Sequence, residues 1–453
     1  MMISHFYHQV SHENHTAVLR RLTLMKRLIP MGRSYMQQRS QRIVIIGNGV
    51  IGLSTAYYAL KEGYQVTVLD RNGPDGDNCS AANAGMVVPS HFIPLAAPGV
   101  ISKGLRWLLD KESPFYVRPR LSLDLAYWGW LFCQHANQEH VDASRHLLCA
   151  LNLESRRLFQ ELASEDDFGL QTRGLLMLCE TQKAFDEEAE VAMQANDLGL
   201  NTKLLDAKAA ALTDPGIDMN IAGAVHFEDD CHLDPARFLA SLRQRIEKMG
   251  GRIVHDCEID EITFHNGKVT EVSGSNGSFE AEHFVIAGGA WSPRLLRQIK
   301  LRLPMQSGKG YSLTLPNPRQ LPQLCSILTE AKVAVTPMGN SLRFAGTMEV
   351  GGLGTEINPA RVRGIIKAAT RYFPDFKISD FDGIQPWVGL RPVSPDGMPY
   401  LGKAPGLENL VVATGHAMMG LSLAPVTGKL VTEILTNCTP AISIDSLSPG
   451  RFS

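Results

Sequence analysis

Three glycines, Gly47, Gly49 and Gly52, stand in the pattern G-x-G-x-x-G, and an acid, Asp70, follows 23 positions after the first. Residues of those types at that spacing hold two linked phosphates and a ribose. Gly47 permits a tight turn, Gly49 lets a pyrophosphate come up against the backbone, and Gly52 allows a helix and a sheet to pack closely. The helix that opens at Val50 and Ile51 offers unpaired N–H groups to the phosphates. A carboxylate about twenty residues on accepts hydrogen bonds from ribose hydroxyls and disfavours a 2′-phosphate. This stretch alone leaves FAD and NAD both open.

The elements that must carry these residues follow from the hydrophobic pattern. Residues 43–46 are a continuous apolar, β-branched run, as in a strand buried on both faces, and residues 66–69 repeat it one helix later. Strand, loop, helix and strand therefore surround the glycines, the context that separates a dinucleotide site from a chance triplet. Beyond Arg71 a run of turn formers leads into Cys79, Ser80, Asn83, Ala84, Gly85 and Met86. Small side chains in a row, with Ser80 and Asn83 able to donate, suit a backbone passing against a flat polar ligand. Ser80 also reads as a helix N-cap, and one residue can do both.

Composition removes several classes. A chain of 453 residues with 44% hydrophobic and 20% charged residues buries a large core and requires more than one structural unit. A formal net charge of −2 gives no field for nucleic acid, and no nucleic-acid motif occurs. The 8 cysteines include no C-x-x-C pair, which argues against a zinc site or a disulfide framework and for a reducing, cytoplasmic setting with no metal. No run of about 18 or more apolar residues is present, so no spanning helix is expected, while peripheral contact with the inner face of a membrane stays open. In residues 1–41, Arg20, Arg21, Lys26, Arg27, Arg33 and Arg39 face a single acid, Glu13. The segment reads as a disordered or targeting extension, with the tail preferred because it lacks an amphipathic repeat.

Residues 91–135 combine proline with aromatics and read as an irregular flank followed by a helix. Its stripe of Tyr127, Trp128 and Trp130, preceded by Arg118 and Arg120, fits a core face better than a membrane interface. Residues 151–164 and 182–198 read as solvated outer helices. Asp229, Asp230, Cys231 and His232 read as a loop entering a helix capped by Asp234, with Pro235 at its first position, in preference to a metal site. A buried strand returns at residues 283–287 and ends in glycines, with Gly288 and Trp291 beyond it. The expected fold is therefore α/β (α+β): a Rossmann-like dinucleotide-binding domain assembled from discontinuous segments, residues 42–90, 220–300 and 385–440, with an inserted antiparallel-sheet domain, residues 91–219 and 301–384, which the family resemblance given below makes an FAD-binding domain and a substrate domain. A last strand at residues 409–414 runs into Gly415, His416, Met418, Met419, Gly420 and Leu421, where a helix N-terminus would aim partial positive charge at an electron-rich ring. A reduced flavin needs such a helix and nicotinamide does not.

Taken together, the Gly47–Gly52 loop, residues 79–85, Lys309-Gly310-Tyr311, the run from Gly389 through Arg391 to Gly397, and Gly415 to Gly420 make the chain resemble one family over about residues 42–435. It is similar to the FAD-dependent D-amino acid dehydrogenases of the D-amino acid oxidase and glycine oxidase superfamily. The resemblance implies FAD held by Gly47, Gly49, Val50, Ile51, Gly52, Asp70, Arg71, Ser80, Asn83, Ala84, Gly85, Met86, Gly288, Trp291, Gly389, Gly415, His416, Met418, Met419, Gly420 and Leu421. It also implies an arginine paired to a substrate carboxylate. Arg391 stands at that position, and a guanidinium fork binds a carboxylate through two hydrogen bonds. Tyr311 matches a pocket position, with a core tyrosine as the equal alternative. His416 would act beside the flavin or as a structural cap, and Trp387 and Met348 are lesser pocket candidates.

The implied reaction takes a hydride from Cα of a D-amino acid with a neutral amine to the flavin, and the imine hydrolyses to a 2-oxo acid and ammonia. The implied electron acceptor is a quinone or respiratory partner, with O2 as the alternative. Dehydrogenation of D-proline or hydroxy-D-proline to a cyclic imine is a close variant. Two rivals remain. A non-catalytic FAD-binding subunit of an amine-oxidising complex need not keep Arg391, and an NAD-dependent dehydrogenase would carry no yellow chromophore.

Overall fold

The computed structural model describes residues 41–73, 76, 79–107 and 112–453. The basic extension, residues 1–40 of it, lies outside the described residues. The strand Arg42–Ile46 is the centre of a six-stranded sheet in the order Tyr400–Lys403, Leu410–Thr414, His283–Ile286, Arg42–Ile46, Gln65–Leu69 and Arg252–Val254. Every neighbour in it is parallel except the edge strand Tyr400–Lys403. Because side chains alternate along a strand, Ile43 and Ile45 enter one apolar layer and Val44 and Ile46 the other.

The first layer holds the helices Val50–Lys61, Gln138–Ala163, Pro235–Lys248 and Ala424–Leu435. Helices Val50–Lys61 and Ala424–Leu435 cross so closely at Gly428 that a Cβ there would lie 2.5 Å from the Ser54 carbonyl carbon. Only glycine fits that crossing. The second layer is a three-stranded antiparallel sheet, Ile259–His265, Lys268–Gly274 and Gly277–Glu280, whose Ile259, Ile262, Val269 and Val272 are buried against the parallel sheet. Asp234 caps the helix Pro235–Lys248, its carboxylate accepting from the N–H groups of Ala236 and Arg237.

A second, larger sheet runs in the order Trp387–Val393, Gln306–Pro316, Ser341–Val350, Val333–Met338, Cys325–Leu328, Leu175–Cys179, Gly223–Phe227 and Thr202–Asp206. It is antiparallel apart from the pairing of Cys325–Leu328 with Leu175–Cys179 and of the short strand Phe115–Val117 with Ser341–Val350. The helix Pro359–Tyr372 covers one face of it over Leu313, Phe344 and Tyr311. The opposite face is the floor of a cavity.

Three boundaries differ from the sequence reading. Gly223–Phe227 and Trp387–Val393 belong to the large sheet, although residues 220–300 and 385–440 read as one domain with the glycine loop. The helix Gln138–Ala163 begins earlier than expected, at the cap Asn137, and buries Leu148, Leu151, Leu158 and Phe159 in the core around the parallel sheet instead of standing in solvent. A buried strand or a one-sided helix records in its pattern that it is covered, and not by which sheet. The tryptophan helix, Leu123–His135, divides: Trp128 is buried and donates Nε1–H to the Val393 carbonyl at 2.9 Å, whereas Trp130, Leu121 and Leu123 are exposed. Among the described residues no helix is long and apolar enough to cross a membrane.

Candidate active site

At the carboxyl ends of the parallel strands the glycine loop closes on itself. A Cβ on Gly52 would lie 1.9 Å from the Gly47 carbonyl oxygen, and one on Gly47 would lie 2.5 Å from that of Ala287. Gly47 also has φ +119, which side-chain-bearing residues avoid. The helix Val50–Lys61 starts after Gly49 with no side-chain cap of its own, and the Val50 N–H donates to Ser80 Oγ at 3.1 Å. Asp70 fixes the loop from the next strand: Oδ2 accepts the Asn48 backbone N–H at 2.6 Å and Oδ1 that of Asn72 at 2.8 Å.

A cavity of about 180 Å3 runs from this loop, past Gly47, Gly49, Val50, Ile51, Asp70, Arg71, Ser80, Asn83, Gly288 and Trp291, to His416, Gly420 and Leu421. Arg71 stacks on Trp291, its Cζ 3.7 Å from the ring centroid. Gly52, Gly85 and Gly415 do not border the cavity. They allow close packing instead: Gly85 (φ +78) and Gly415 (φ +79) would each place a Cβ under 3 Å from a neighbour, the Leu233 carbonyl and the Tyr400 ring. At the last junction a 3-10 turn, Ala417–Met419, follows the strand, and the helix Ala424–Leu435 begins beyond it.

A second cavity, of about 490 Å3, lies above the large sheet. Ala84, Met86, Gly389, Met418 and Met419 border this cavity and not the first, as do Trp387 and Met348. Cys79, Asn83, Arg391 and Ala417 border both, so the two spaces meet at Arg391. Its guanidinium lies over Gly310, where a Cβ would sit 2.1 Å from Nη1. Nη1 donates to the Thr347 carbonyl at 2.6 Å. Thr347 has φ +71, an unusual conformation for a β-branched residue, at an irregularity in the pairing of Gln306–Pro316 with Ser341–Val350. No carboxylate of the described residues forms an ion pair with Arg391, and burial lowers its pKa from the ordinary arginine value. A buried cation without an anion is costly, and an incoming carboxylate removes that cost.

Two further sequence candidates border the cavities and are tied into the core by hydrogen bonds. Tyr311 is held in the core under Pro359–Tyr372, on the face of the sheet opposite Arg391. Its hydroxyl donates to Glu349 Oε2 at 3.2 Å and accepts the Asn358 N–H at 3.2 Å, and burial pushes its pKa up to about 12. Glu349 in turn pairs with the buried Lys309 at 3.6 Å. These bonds hold the Tyr311 hydroxyl under Pro359–Tyr372, while the residue itself also borders the second cavity. His416 borders the first cavity with its ring buried, Nε2 lying 3.1 Å from Thr427 Oγ1, and burial alone lowers its pKa to about 3. Burial thus favours its neutral form. Sequence reasoning missed Arg294 and Thr414 around the first cavity and His91, Lys332 and Thr347 around the second. Among the described residues no cluster of His, Cys, Asp or Glu forms a metal site.

The residues present fit a flavin dinucleotide. The uncapped helix N-terminus, the glycine cradle and Asp70 suit the pyrophosphate and ribose, and the cavity continues to a junction with a second space large enough for a substrate. A nucleotide-linked redox enzyme acting on a small anion is the class that this fold and site define. The family model described as FAD dependent oxidoreductase, DAO, matches residues 42–434. The D-amino acid dehydrogenase of Vibrio atlanticus is 31% identical over 417 residues, covering 90% of this chain and 99% of its own. That of Paramagnetospirillum magneticum is 33% identical over 420 residues, covering 91% and 99%. Among solved structures, glycine oxidase from Geobacillus kaustophilus superimposes with a TM-score of 0.73 at 24% identity, covering 91% of this chain and 99% of that one. L-proline dehydrogenase from P. horikoshii gives 0.69 at 18% identity, covering 91% and 97%. The chain belongs to the DAO family of FAD-dependent oxidoreductases.

Proposed function

We propose that this flavoenzyme oxidises D-amino acids at the Cα–N bond, giving an imine that hydrolyses to a 2-oxo acid and ammonia, and that it passes the electrons to a quinone or a respiratory partner. The observation that carries the reading is Arg391: a buried guanidinium with no carboxylate partner among the described residues, placed where the nucleotide cavity opens into the larger one. The names of the curated relatives supply the stereochemistry and favour a dehydrogenase over an oxidase.

Bound FAD would supply the two-electron acceptor, and Gly47, Gly49, Val50, Asp70 and Ser80 would hold its pyrophosphate and ribose. Arg391 would take the substrate carboxylate in its fork and so fix where Cα sits. Thr347, through its carbonyl, keeps the guanidinium aimed across the junction. The apolar wall of Phe115, Trp128, Met348 and Trp387 excludes water and takes the side chain. No side chain need act as a nucleophile. The exposed Leu121, Leu123 and Trp130 support peripheral contact with a membrane carrying the acceptor.

The test is a visible spectrum of the purified protein followed by anaerobic addition of single D-amino acids and their L-isomers. Bleaching of the flavin band by a D-isomer and not its L-form is expected. A bound flavin that no amino acid bleaches would remove the reading. Turnover with a soluble quinone in excess of that with O2 separates dehydrogenase from oxidase.

A further inference from the structure

The wall of the substrate cavity carries one group that the reaction does not use. His91 borders the cavity, and its Nδ1 lies 3.1 Å from Ser90 Oγ. Ser90 Oγ donates to Asp230 Oδ2 at 2.5 Å, and the Ser90 N–H donates to Oδ1 at 3.0 Å. Asp230 and Ser90 are both buried, so the chain Asp230–Ser90–His91 runs from the interior to the cavity. Its direction follows from donor arithmetic. The hydroxyl spends its one proton on the ionised carboxylate, so it must accept from His91 Nδ1–H, and Nε2 is left with a lone pair. No described residue occupies Nε2. Burial and the positive charge of Lys332 hold the imidazole neutral, its pKa lowered to about 4.

Two further features define what this lone pair meets. Arg391 donates to Thr347 in Ser341–Val350, and the next strand, Val333–Met338, is preceded directly by Lys332, the charge that acts on His91. His91 and Arg391 border this one cavity, so a substrate whose carboxylate lies on Arg391 extends its side chain into the space that His91 lines. The floor of that space includes a row of register partners: Ser312, Ala345, Ala334 and Ile327. Arg391 and Lys332 disfavour a cationic side chain, and the remaining wall is mostly apolar.

Resting on the function proposed above, we infer that His91, held by Ser90 and Asp230, is a specificity-determining residue that accepts a hydrogen bond from the substrate side chain, so that the preferred substrates are D-amino acids bearing a neutral hydroxyl. A mostly apolar wall with a fixed acceptor rejects the analogue that lacks the donor, because the acceptor is then left desolvated.

Matched pairs test this: D-proline against hydroxy-D-proline, D-phenylalanine against D-tyrosine, and D-valine against D-threonine, assayed at alkaline pH, where Asp230 is ionised. Burial raises Asp230 to about 7, the two Ser90 hydrogen bonds and Arg156 working against it and Asp229 with it. The hydroxylated member of at least one pair is expected to lead in kcat/KM by about tenfold or more. In His91→Leu that ratio should fall to within about threefold of unity, with the flavin spectrum intact. Two conservative variants separate reading from scaffolding. His91→Gln keeps a polar acceptor near the place of Nε2 and should restore part of the preference. His91→Asn keeps a group near Nδ1 for Ser90 but cannot reach the substrate, and should behave as leucine does. Wild-type ratios near unity in all pairs, ratios that His91→Leu leaves intact, or restoration by Asn and not by Gln would each overturn the inference. If D-amino acids bleach the flavin and the ratio ignores His91, only this inference fails. If none bleaches it, the function proposed above fails with it.

Discussion

The two cavities share Arg391 but are built from different materials. Around the first, the decisive contacts are made by backbone: the Gly47 turn, the N–H groups at Asn48 and Val50, and approaches too close for any Cβ at Gly47 and Gly52. Around the second, the wall is side chains that arrive from strands and loops far apart in the chain, such as Phe115, Trp128, Lys332, Met348 and Arg391. A backbone cradle binds a phosphate of fixed shape and tolerates little change, because each glycine sits against a carbonyl that cannot move aside. A side-chain pocket can change its preference one residue at a time while the sheet beneath it stays the same. The cofactor site is therefore the constant part of such an enzyme and the substrate site the adjustable one.

The difference can be broken most severely at Gly52. Gly52→Val would drive a side chain into the Gly47 carbonyl, so the purified protein should lack the flavin band and retain below about 1% of wild-type turnover, with the far-ultraviolet spectrum checking that the chain has folded. A yellow, active variant would mean that the loop does not hold the dinucleotide. Arg391→Ala comes next. It should leave FAD bound and reduce kcat/KM for D-amino acids by about a hundred- to a thousandfold, equivalent to roughly 3–4 kcal/mol for a buried charge-assisted contact, mainly through KM. Arg391→Lys should recover only a fraction, since an ammonium cannot form the fork. An unchanged kcat/KM in Arg391→Ala would end the assignment of the junction as the substrate anchor.

The same contrast explains what could be read in advance. The strand, G-x-G-x-x-G, helix and Asp70 unit was legible because its chemistry is local, fixed by backbone within one short stretch. Arg391 was legible because it stands inside a compact motif, from Gly389 to Gly397. The partners of the Tyr311 hydroxyl were not, because deciding which face of a sheet a side chain occupies needs the register of its neighbours, and an irregularity beside Lys309 and Tyr311 alters that register. Gly223–Phe227, Trp387–Val393 and the helix Gln138–Ala163 were recognisable as elements but not as members of one layer or another, since apolar pattern reports burial without naming the partner. His91 carried no signal at all. Its role depends on Asp230, 140 positions from Ser90, and no periodicity connects the two.

Tyr311 sharpens the contrast within the second sheet. Tyr311→Phe removes the hydroxyl between Glu349 and the Asn358 N–H, leaving both buried groups one partner short. Stability measured by denaturant midpoint should fall by about 1–3 kcal/mol, while kcat/KM stays within about threefold of wild type. A large loss of kcat/KM with unchanged stability would assign the Tyr311 hydroxyl to the substrate.

The smallest expected effect concerns pH and sets one wall against the other. His416 beside the first cavity and His91 beside the second are both neutral, lowered by burial to about 3 and about 4 from 6.5. A depressed histidine means that the unfolded chain binds more protons than the folded one between the two values, so the stability each contributes is present above about pH 6.5 and is lost as the pH falls towards its folded value. Asp230, raised to about 7, has the opposite sign: its contribution is present at low pH and is lost as the pH rises through about 7. From about pH 7 to about pH 6 these two histidines and the buried His232, also lowered to about 4, each remove roughly 0.5–1 kcal/mol, and Asp230 offsets only part of the sum. The wild-type denaturation midpoint should therefore fall over that interval, and Asp230→Asn should make it fall more steeply as acid is added. The kcat/KM profile should carry no inflection from His416 in the same range, because a buried imidazole of that pKa does not titrate there. An inflection near 6.5 that disappears in His416→Asn would show that the wall of the cofactor cavity takes part in proton transfer, and the division between a fixed backbone cradle and an adjustable side-chain pocket would then fail at its boundary.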